Sequence, residues 1–223
     1  MSLKLDSNAR CAVIGYGSWA TAIVKILCEN EQRVGWLIGN PAVAEGVLAE
    51  ERNPKYLSDA ALNLSKLDIS DDINKVVREA DIIVMATPSA YLKKTLEPLT
   101  ESLDDKFIVS AIKGIIPDEY VTVAEYFNQQ YSIPFGRIGI VTGPCHAEEV
   151  ALEHLSYLTV VCSDAEDTEV LRGKFSTDYI RTVTSSDIYG IEYATVLKNI
   201  YAIAVGIAAG LGYGDNFIAV LLA

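Results

Sequence analysis

The feature that most constrains the fold is a pair of glycines between an apolar stretch and an amphipathic one. Gly15 and Gly17 follow the apolar run CAVI and precede the segment SWATAIVKILCE, which has helical periodicity. A second apolar run, RVGWLIG, comes next. The order strand, glycine turn, helix, strand predicts a βαβ unit of about 30 residues.

The spacing within this turn is G-x-G-x-x-A, formed by Gly15, Gly17 and Ala20. In such a turn the first glycine permits the tight bend, the second lets the backbone approach a pyrophosphate, and the third small residue allows close helix–strand packing. The helix N-terminus adds unpaired N–H groups and the positive end of its dipole. The turn therefore predicts a dinucleotide site that binds NAD or NADP.

The end of the second strand, WLIGNP, carries neither of the side chains that distinguish these two cofactors. Gly39 and Asn40 stand where an Asp or Glu would hold the adenosine ribose of NAD. An arginine that would bind the 2′-phosphate of NADP is also missing there. The choice stays open, and the missing carboxylate favours NADP or dual use.

Further apolar runs, each bounded by Gly, Pro or Ser, alternate with helical patterns up to about Ser186. Runs that are apolar on both faces are typical of buried parallel strands. We therefore predict an α/β fold, a Rossmann-type doubly wound and mostly parallel sheet over residues 1–186. From 187 to 223 the pattern is helical only, which predicts the start of an all-α C-terminal domain.

Composition excludes some classes of function. The formal net charge of −12 argues against nucleic acid as a partner, since phosphate backbones require basic patches. The four cysteines form no C-x-x-C pair and no metal-ligand cluster with histidine, so no bound metal is expected. Their pattern also favours a reducing, cytoplasmic location. The apolar run 200–210 is shorter than the roughly 20 residues that span a bilayer, so no membrane insertion is expected.

Lys198 is the one cation in the long apolar helical pattern 192–210. It has no acidic residue at the i±3 or i±4 positions, where a helix would place an ion-pair partner. A helix that is apolar all round is normally buried, and burial lowers the pKa of a lysine. Lys198 is therefore a candidate general base, against the simpler alternative of a lysine that extends to solvent.

Three motifs follow predicted strands and should lie together where those strands end. They are ATPS at 86–89, AIKG at 111–114, which contains Lys113, and TGPCHAEE at 142–149.

Several motifs, in order, resemble NAD(P)-dependent glycerol-3-phosphate dehydrogenases of the bacterial type over most of the chain. The matching stretches are GYGSWATAIVK, RNPKYLSD, DIIVMATPSAYL, AIKGI, GPCHAEEVA and IEYATVLKNIYAIAVGIAAGLGYGDNF. The resemblance implies interconversion of sn-glycerol 3-phosphate and dihydroxyacetone phosphate by hydride exchange with NAD(P), as a supply for phospholipid synthesis. A homodimer is a further expectation.

The resemblance also implies roles for individual residues. Lys198 matches the family's proton acceptor, and Lys113 matches a lysine that touches both substrate and cofactor. Gly143 and Cys145 match substrate contacts, although other small residues are commoner than cysteine at that position. Besides Gly15 and Gly17, the cofactor contacts would be Ser18, Trp19, Lys113 and Ala147.

The family continues into a larger helical domain that supplies an aspartate and an adjacent Arg–Asn pair to the site. Because these lie outside the 223 residues, we expect a truncated chain with weak or no activity alone. Two alternatives are a nicotinamide-sensing module without turnover and a hydroxyacid-type dehydrogenase. A cysteine hydrolase using Cys145 and His146 is disfavoured, because adjacent helical residues point about 100° apart.

Overall fold

The computed structural model describes residues 4–223, which fold around one eight-stranded sheet with helices on both faces. The strands are β1 (Cys11–Ile14), β2 (Val34–Leu37), β3 (Leu67–Ser70), β4 (Ile82–Met85), β5 (Phe107–Ser110), β6 (Ile138–Thr142), β7 (Ser156–Cys162) and β8 (Ile180–Ser185). The helices are α1 (Ser18–Asn30), α2 (Pro41–Glu50), α3 (Ile73–Glu79), α4 (Ser89–Leu96), α5 (Val123–Tyr131), α6 (Ala147–Ala151), α7 (Ala165–Phe175), α8 (Ile188–Gly210) and α9 (Asp215–Leu222).

The strand order β3-β2-β1-β4-β5-β6-β7-β8 confirms the doubly wound topology. Strands β1 to β6 are parallel, so their carboxyl ends form one edge of the sheet, hereafter the carboxyl edge. Strand β7 runs antiparallel to β6, and β8 is parallel to β7. The last two strands therefore end at the opposite edge.

The core consists of two apolar layers that share the sheet, because successive strand residues point to opposite faces. In β1, Val13 lies in the layer formed with α1, α2, α6 and α7, and Ala12 and Ile14 lie in the layer formed with α3, α4 and α5. All four residues of β1 are buried. Burial of the strands on both faces agrees with the apolar runs from which they were predicted.

Helix α8 departs from the expectation of a buried helix. Over its 23 residues only Ile188, Glu192 and Ala208 are buried. Among residues 4–223 it packs mainly against β6, β7 and α9, and these elements leave most of its surface uncovered. The length argument against a membrane span is also wrong. The helix begins at Ile188 rather than near residue 200, and by length and mean hydropathy, 1.3 over 18 residues, it is capable of crossing a bilayer.

Candidate functional site

The two glycines of the turn after β1 meet different surroundings. Gly15 has a φ of 126°, and a Cβ there would lie 2.5 Å from the carbonyl oxygen of Ala86, at the end of β4. Only glycine fits that backbone conformation and that close approach. A Cβ on Gly17 would meet no atom within 4 Å. Gly15 is thus required by the fold, and Gly17 leaves open space above the N-terminus of α1.

Side chains donate hydrogen bonds to all three carbonyls of this turn, two of them from distant parts of the chain and one from α1 itself. The indole nitrogen of Trp36 donates to the oxygen of Gly15 at 2.7 Å, and the buried amide of Asn53 donates to Tyr16 at 2.9 Å. The Thr21 hydroxyl donates to Gly17 at 2.9 Å and accepts a bond from Asn53. With its carbonyls bonded to protein, the turn can direct N–H groups to an anion.

Trp36, Asn53 and Thr21 were not predicted as site residues. Asn53 belongs to the motif RNPKYLSD, which the sequence singled out without assigning it a contact. Thr21 lies in the motif GYGSWATAIVK, four residues after Gly17. Trp36 and Asn53 are distant in sequence, and only the fold brings them to the turn.

Helix α1 begins at Ser18, and no side-chain hydrogen bond from the described residues caps it at Gly17. Next to this helix end, the indole nitrogen of Trp19 and the hydroxyl of Thr87 are buried without a partner in the described chain. Buried polar atoms normally have a hydrogen-bond partner. An uncapped helix N-terminus, an open glycine and two unpaired polar atoms fit a dinucleotide at this place.

Lys113 follows β5 at the carboxyl edge, and its ammonium nitrogen lies 5.3 Å from the centre of the Trp19 ring. The next residue, Gly114, has a φ of 148° and turns the chain there. Partial burial, and then the nearby charge of Lys198, lower the pKa of Lys113. The charges of the two lysines thus interact in the structure, although the residues lie 85 positions apart in the sequence.

Lys198 itself is exposed, contrary to the burial inferred from its apolar neighbours. It lies on the open part of α8, where few described residues pack against the helix. The charges of Lys113 and Lys198 make this region locally positive on an acidic protein.

Gly143, Cys145 and Ala147 follow β6 at the same edge. A Cβ on Gly143 would overlap the carbonyl oxygen of Tyr157, so β6 and β7 can approach only with glycine there. The Cys145 thiol donates to that oxygen at 2.8 Å, and burial raises its pKa. A thiol held protonated is a poor nucleophile, which argues against the hydrolase alternative.

His146 precedes α6, and Ala147 begins it as a buried residue. The end of α6 is joined to α1 by an ion pair of 2.7 Å between the buried Lys25 and Glu153. This ion pair, which the sequence did not predict, joins the residues after α6 to the helix that begins at the glycine turn.

The described residues contain no group of three metal-ligating side chains. All four cysteines are free and buried.

Comparison with known proteins identifies the family. The model of the NAD-dependent glycerol-3-phosphate dehydrogenase N-terminus matches residues 10–168, and the model of the C-terminus matches residues 187–223. The chain is 33% identical over 213 residues to the NAD(P)+ glycerol-3-phosphate dehydrogenase of Macrococcus caseolyticus, covering 95% of this chain and 64% of that protein. It therefore spans less than two thirds of that relative's length.

Two solved glycerol-3-phosphate dehydrogenases have a similar fold. The structure from Plasmodium falciparum superimposes with a TM-score of 0.87 at 23% identity, over 95% of this chain and 62% of that one. The structure from Saccharomyces cerevisiae gives a TM-score of 0.82 at 26% identity, over 96% and 66%. On the sequence matches over both segments, the chain belongs to the NAD-dependent glycerol-3-phosphate dehydrogenase family.

Proposed function

We propose that this protein is an oxidoreductase that interconverts sn-glycerol 3-phosphate and dihydroxyacetone phosphate with NAD(P), and so supplies glycerol 3-phosphate for phospholipid synthesis. The observation that carries the proposal is that Lys113 lies against Trp19 of the helix after the glycine turn, with Lys198 near enough for its charge to lower the pKa of Lys113. A cationic pair next to a dinucleotide site suits a small phosphate ester. The family membership and the names of the relatives support the same reaction.

Each residue has a distinct part in the proposed reaction. A nicotinamide cofactor, when bound at the glycine turn, would provide the hydride chemistry. Lys198 takes the proton from the C2 hydroxyl during oxidation and returns it during reduction. Lys113 attracts the phosphate ester and, with Trp19, bounds the space between substrate and cofactor. Gly143 and Cys145 line the substrate side.

On the cofactor side, we propose that Gly15, Gly17 and Ser18 bind the pyrophosphate through backbone N–H groups. Trp19, Lys113 and Ala147 would contact the rest of the dinucleotide. The unpaired indole nitrogen of Trp19 supports such a contact. The division of the chain into a Rossmann domain over 1–186 and the start of a helical domain over 187–223 is part of the same proposal.

The partners we propose are the small-molecule substrate and a second copy of the chain in a homodimer, with neither nucleic acid nor lipid. Glu192 supports the absence of membrane insertion, because it is buried in α8 against the backbone N–H of Ala124 and fixes the helix to α5. The free cysteines suit a cytoplasmic location.

Substitution of the two lysines tests the proposed roles in the active enzyme. Lys198→Met should lower kcat for glycerol 3-phosphate oxidation by roughly 10²–10⁴, the usual contribution of positioned proton transfer, and leave cofactor affinity almost unchanged. Lys113→Met should also raise KM for the phosphate ester, because it removes a cation from the substrate side. Steady-state kinetics over a range of pH measures both.

The matched control is Lys94→Met, which removes an exposed lysine from α4 and should leave both constants unchanged. A Lys198→Met enzyme with a normal kcat and a normal pH profile would remove the general base from the proposal.

A further inference from the structure

We propose that Glu192 is a positioning residue: its hydrogen bond to the start of α5 sets the rotation of α8 about its own axis and so holds Lys198 near Lys113. The importance of this contact rests on the proposed function, which makes Lys198 the general base. Glu192 would then act on the reaction through Lys198, without touching the substrate or the cofactor.

The carboxyl group of Glu192 is buried in a helix that is otherwise mostly exposed. Its residue is 5% exposed, and the N–H of Ala124 donates to both carboxyl oxygens at 3.3 Å. Ala124 lies in the first turn of α5, where N–H groups have no acceptor within the helix and the helix dipole favours negative charge. The bond therefore joins α8 to the start of a helix 68 positions away in the sequence.

The other contacts that hold this end of α8 are apolar. Ile188 is buried, and Ile191 packs against the core layer that contains α5. The ring of Tyr189 lies 5.6 Å from that of Phe135, measured between centroids. Apolar contacts are non-directional, whereas a hydrogen bond weakens steeply when donor and acceptor are misaligned. Glu192 therefore supplies the contact that is most sensitive to rotation of the helix.

A carboxyl group at this position also costs free energy that an apolar side chain would not. Burial raises the pKa of Glu192, which means that the surroundings disfavour its charged form. A leucine of similar size would fill the same space without that cost. The directional bond to Ala124 is what the carboxyl group adds.

Beyond Glu192 the helix is open to solvent. In the described chain none of the residues 193–207 is buried. Lys198 lies in this stretch, six positions after Glu192 and about 9 Å along the axis. Side chains extend about 5–6 Å from a helix axis, so a rotation of about 20° moves a side-chain tip by about 2 Å. The direction of Lys198 is therefore set by the contacts at 188–192.

The pKa of Lys113 reports where Lys198 lies. Burial lowers this pKa most, the charge of Lys198 lowers it further, and the Cys145 thiol acts in the opposite direction. Movement of Lys198 away from Lys113 therefore raises the pKa. Carbon-13 NMR titration of the methylated lysines of the purified protein measures it, with Lys113→Arg to assign the signal.

Glu192→Leu, which keeps the packing and removes the bond, should raise the pKa of Lys113 as Lys198→Met does. The sign separates positioning from a direct charge effect, since loss of a nearby carboxylate would lower the pKa of a lysine. Glu192→Gln keeps an acceptor for Ala124 and should leave the pKa close to the wild-type value. In a Lys198→Met background, Glu192→Leu should have no further effect.

Kinetics in the active enzyme give a second readout. Glu192→Leu should lower kcat by roughly 10- to 100-fold, because a displacement of about 1 Å at a reacting group has an effect of this size. It should leave the KM for the cofactor unchanged, since Glu192 lies outside the glycine turn. Glu192→Gln should keep most of the rate.

Glu125→Leu is the matched control. Glu125 accepts from the N–H of Thr122 at 2.8 Å at the same end of α5, and it is the titratable group that faces Glu192 there. Its loss weakens the start of α5 without removing the link to α8. We expect a lower melting temperature and an unchanged pKa of Lys113.

A folded Glu192→Leu protein with the wild-type pKa of Lys113, or a Glu192→Gln protein that behaved like Glu192→Leu, would overturn the inference. An unchanged pKa in Lys198→Met would do the same, because Lys198 would then lie too far from Lys113. If Glu192→Leu does not fold, Glu192→Asp, whose acceptor is shorter by one methylene, is measured in the same way. These pKa comparisons need no turnover, so they decide the inference even where Lys198→Met keeps a normal kcat and the proposed general base is lost.

Discussion

At the scale of single residues, substitution of the two glycines of the turn is predicted to have different effects, on dinucleotide binding for Gly17 and on thermal stability for Gly15. Gly17→Val should abolish measurable dinucleotide binding and leave the melting temperature within a few degrees, because the new side chain enters open space where the pyrophosphate would lie. Gly15→Ala should unfold the protein at lower temperature, because its Cβ meets the Ala86 oxygen. Calorimetry of binding and of unfolding separates the two effects. Unchanged affinity in Gly17→Val would remove the pyrophosphate site from this turn.

Asn53 is predicted to act on the cofactor through the glycine turn. Asn53→Asp replaces the donating NH₂ group by a carboxylate that faces the Tyr16 carbonyl, which leaves a buried acceptor unpaired. We expect a loss of about 1–3 kcal/mol in the free energy of unfolding and a weaker affinity for the dinucleotide.

Asn63→Asp is the matched control for this change. Asn63 is exposed and uses its side-chain oxygen to accept from Ser65, so an aspartate there keeps the bond. If Asn53→Asp lowered stability but left the dinucleotide Kd unchanged, the amide would be structural only.

At the scale of elements, the buried carboxyl group of Glu192 links α8 to α5. Burial raises the pKa of Glu192, so the folded state binds its proton more tightly than the unfolded state does. The contribution of this group to stability is full below the unfolded pKa of about 4.3 and is lost as the pH rises through the folded value. Glu192→Gln, which keeps a hydrogen-bond acceptor for Ala124, should be more stable than the wild type at pH 7, with the difference shrinking toward pH 4.

Urea unfolding at several pH values measures this trend. Glu148→Gln, an exposed change in α6, should show no such dependence. A Glu192→Gln protein whose stability followed the wild type at every pH would contradict the assignment of the shift to this contact.

How far the sequence predicted these elements depended on how deeply they are buried. Strands such as β1 and β4 are apolar on both faces because both faces are covered, and their pattern identified them. Strand β3 is harder to predict, because LDIS lies at the edge of the sheet and is mostly half-buried, which gives it no long apolar run. The exposure of α8 was mispredicted because an apolar pattern indicates that a helix favours burial. It does not show whether the described residues cover that helix.

The same limit applies to the site. The glycine spacing and the lysines could be read from local sequence, whereas the hydrogen bonds from Trp36 and Asn53 to the turn join residues 21 and 37 positions apart. The fold brings such distant residues into contact, so these hydrogen bonds could not be predicted from the sequence alone.

At the scale of the whole molecule, an acidic surface and an exposed apolar surface have opposite effects on association. The net charge of −12 at pH 7 produces repulsion between copies, and α8 exposes large apolar side chains such as Ile203, at 65%. As the pH falls toward the pI of about 4.6, we expect light scattering to report increasing association. Ile203→Asp should suppress it, and Tyr91→Asp, an exposed change on α4, should not. Equal association of both variants would exclude α8 as the contact surface.

Because β7 runs antiparallel to β6, the distance between Lys113 and Lys198 depends on the length of α8. Because β8 ends at the edge opposite Lys113, α8 must run back along the sheet before Lys198 comes near it. Lys198 lies ten positions after Ile188, about 15 Å along the helix at 1.5 Å per residue, so this length of helix sets the distance of the ammonium from the sheet. One alanine inserted between these residues would rotate the ammonium by about 100° away from Lys113, whereas four would restore its direction and displace it by about 6 Å. The number of residues between Ile188 and Lys198 therefore sets the separation of the two charges, and an insertion or deletion there should change it more than a substitution at another exposed position of α8.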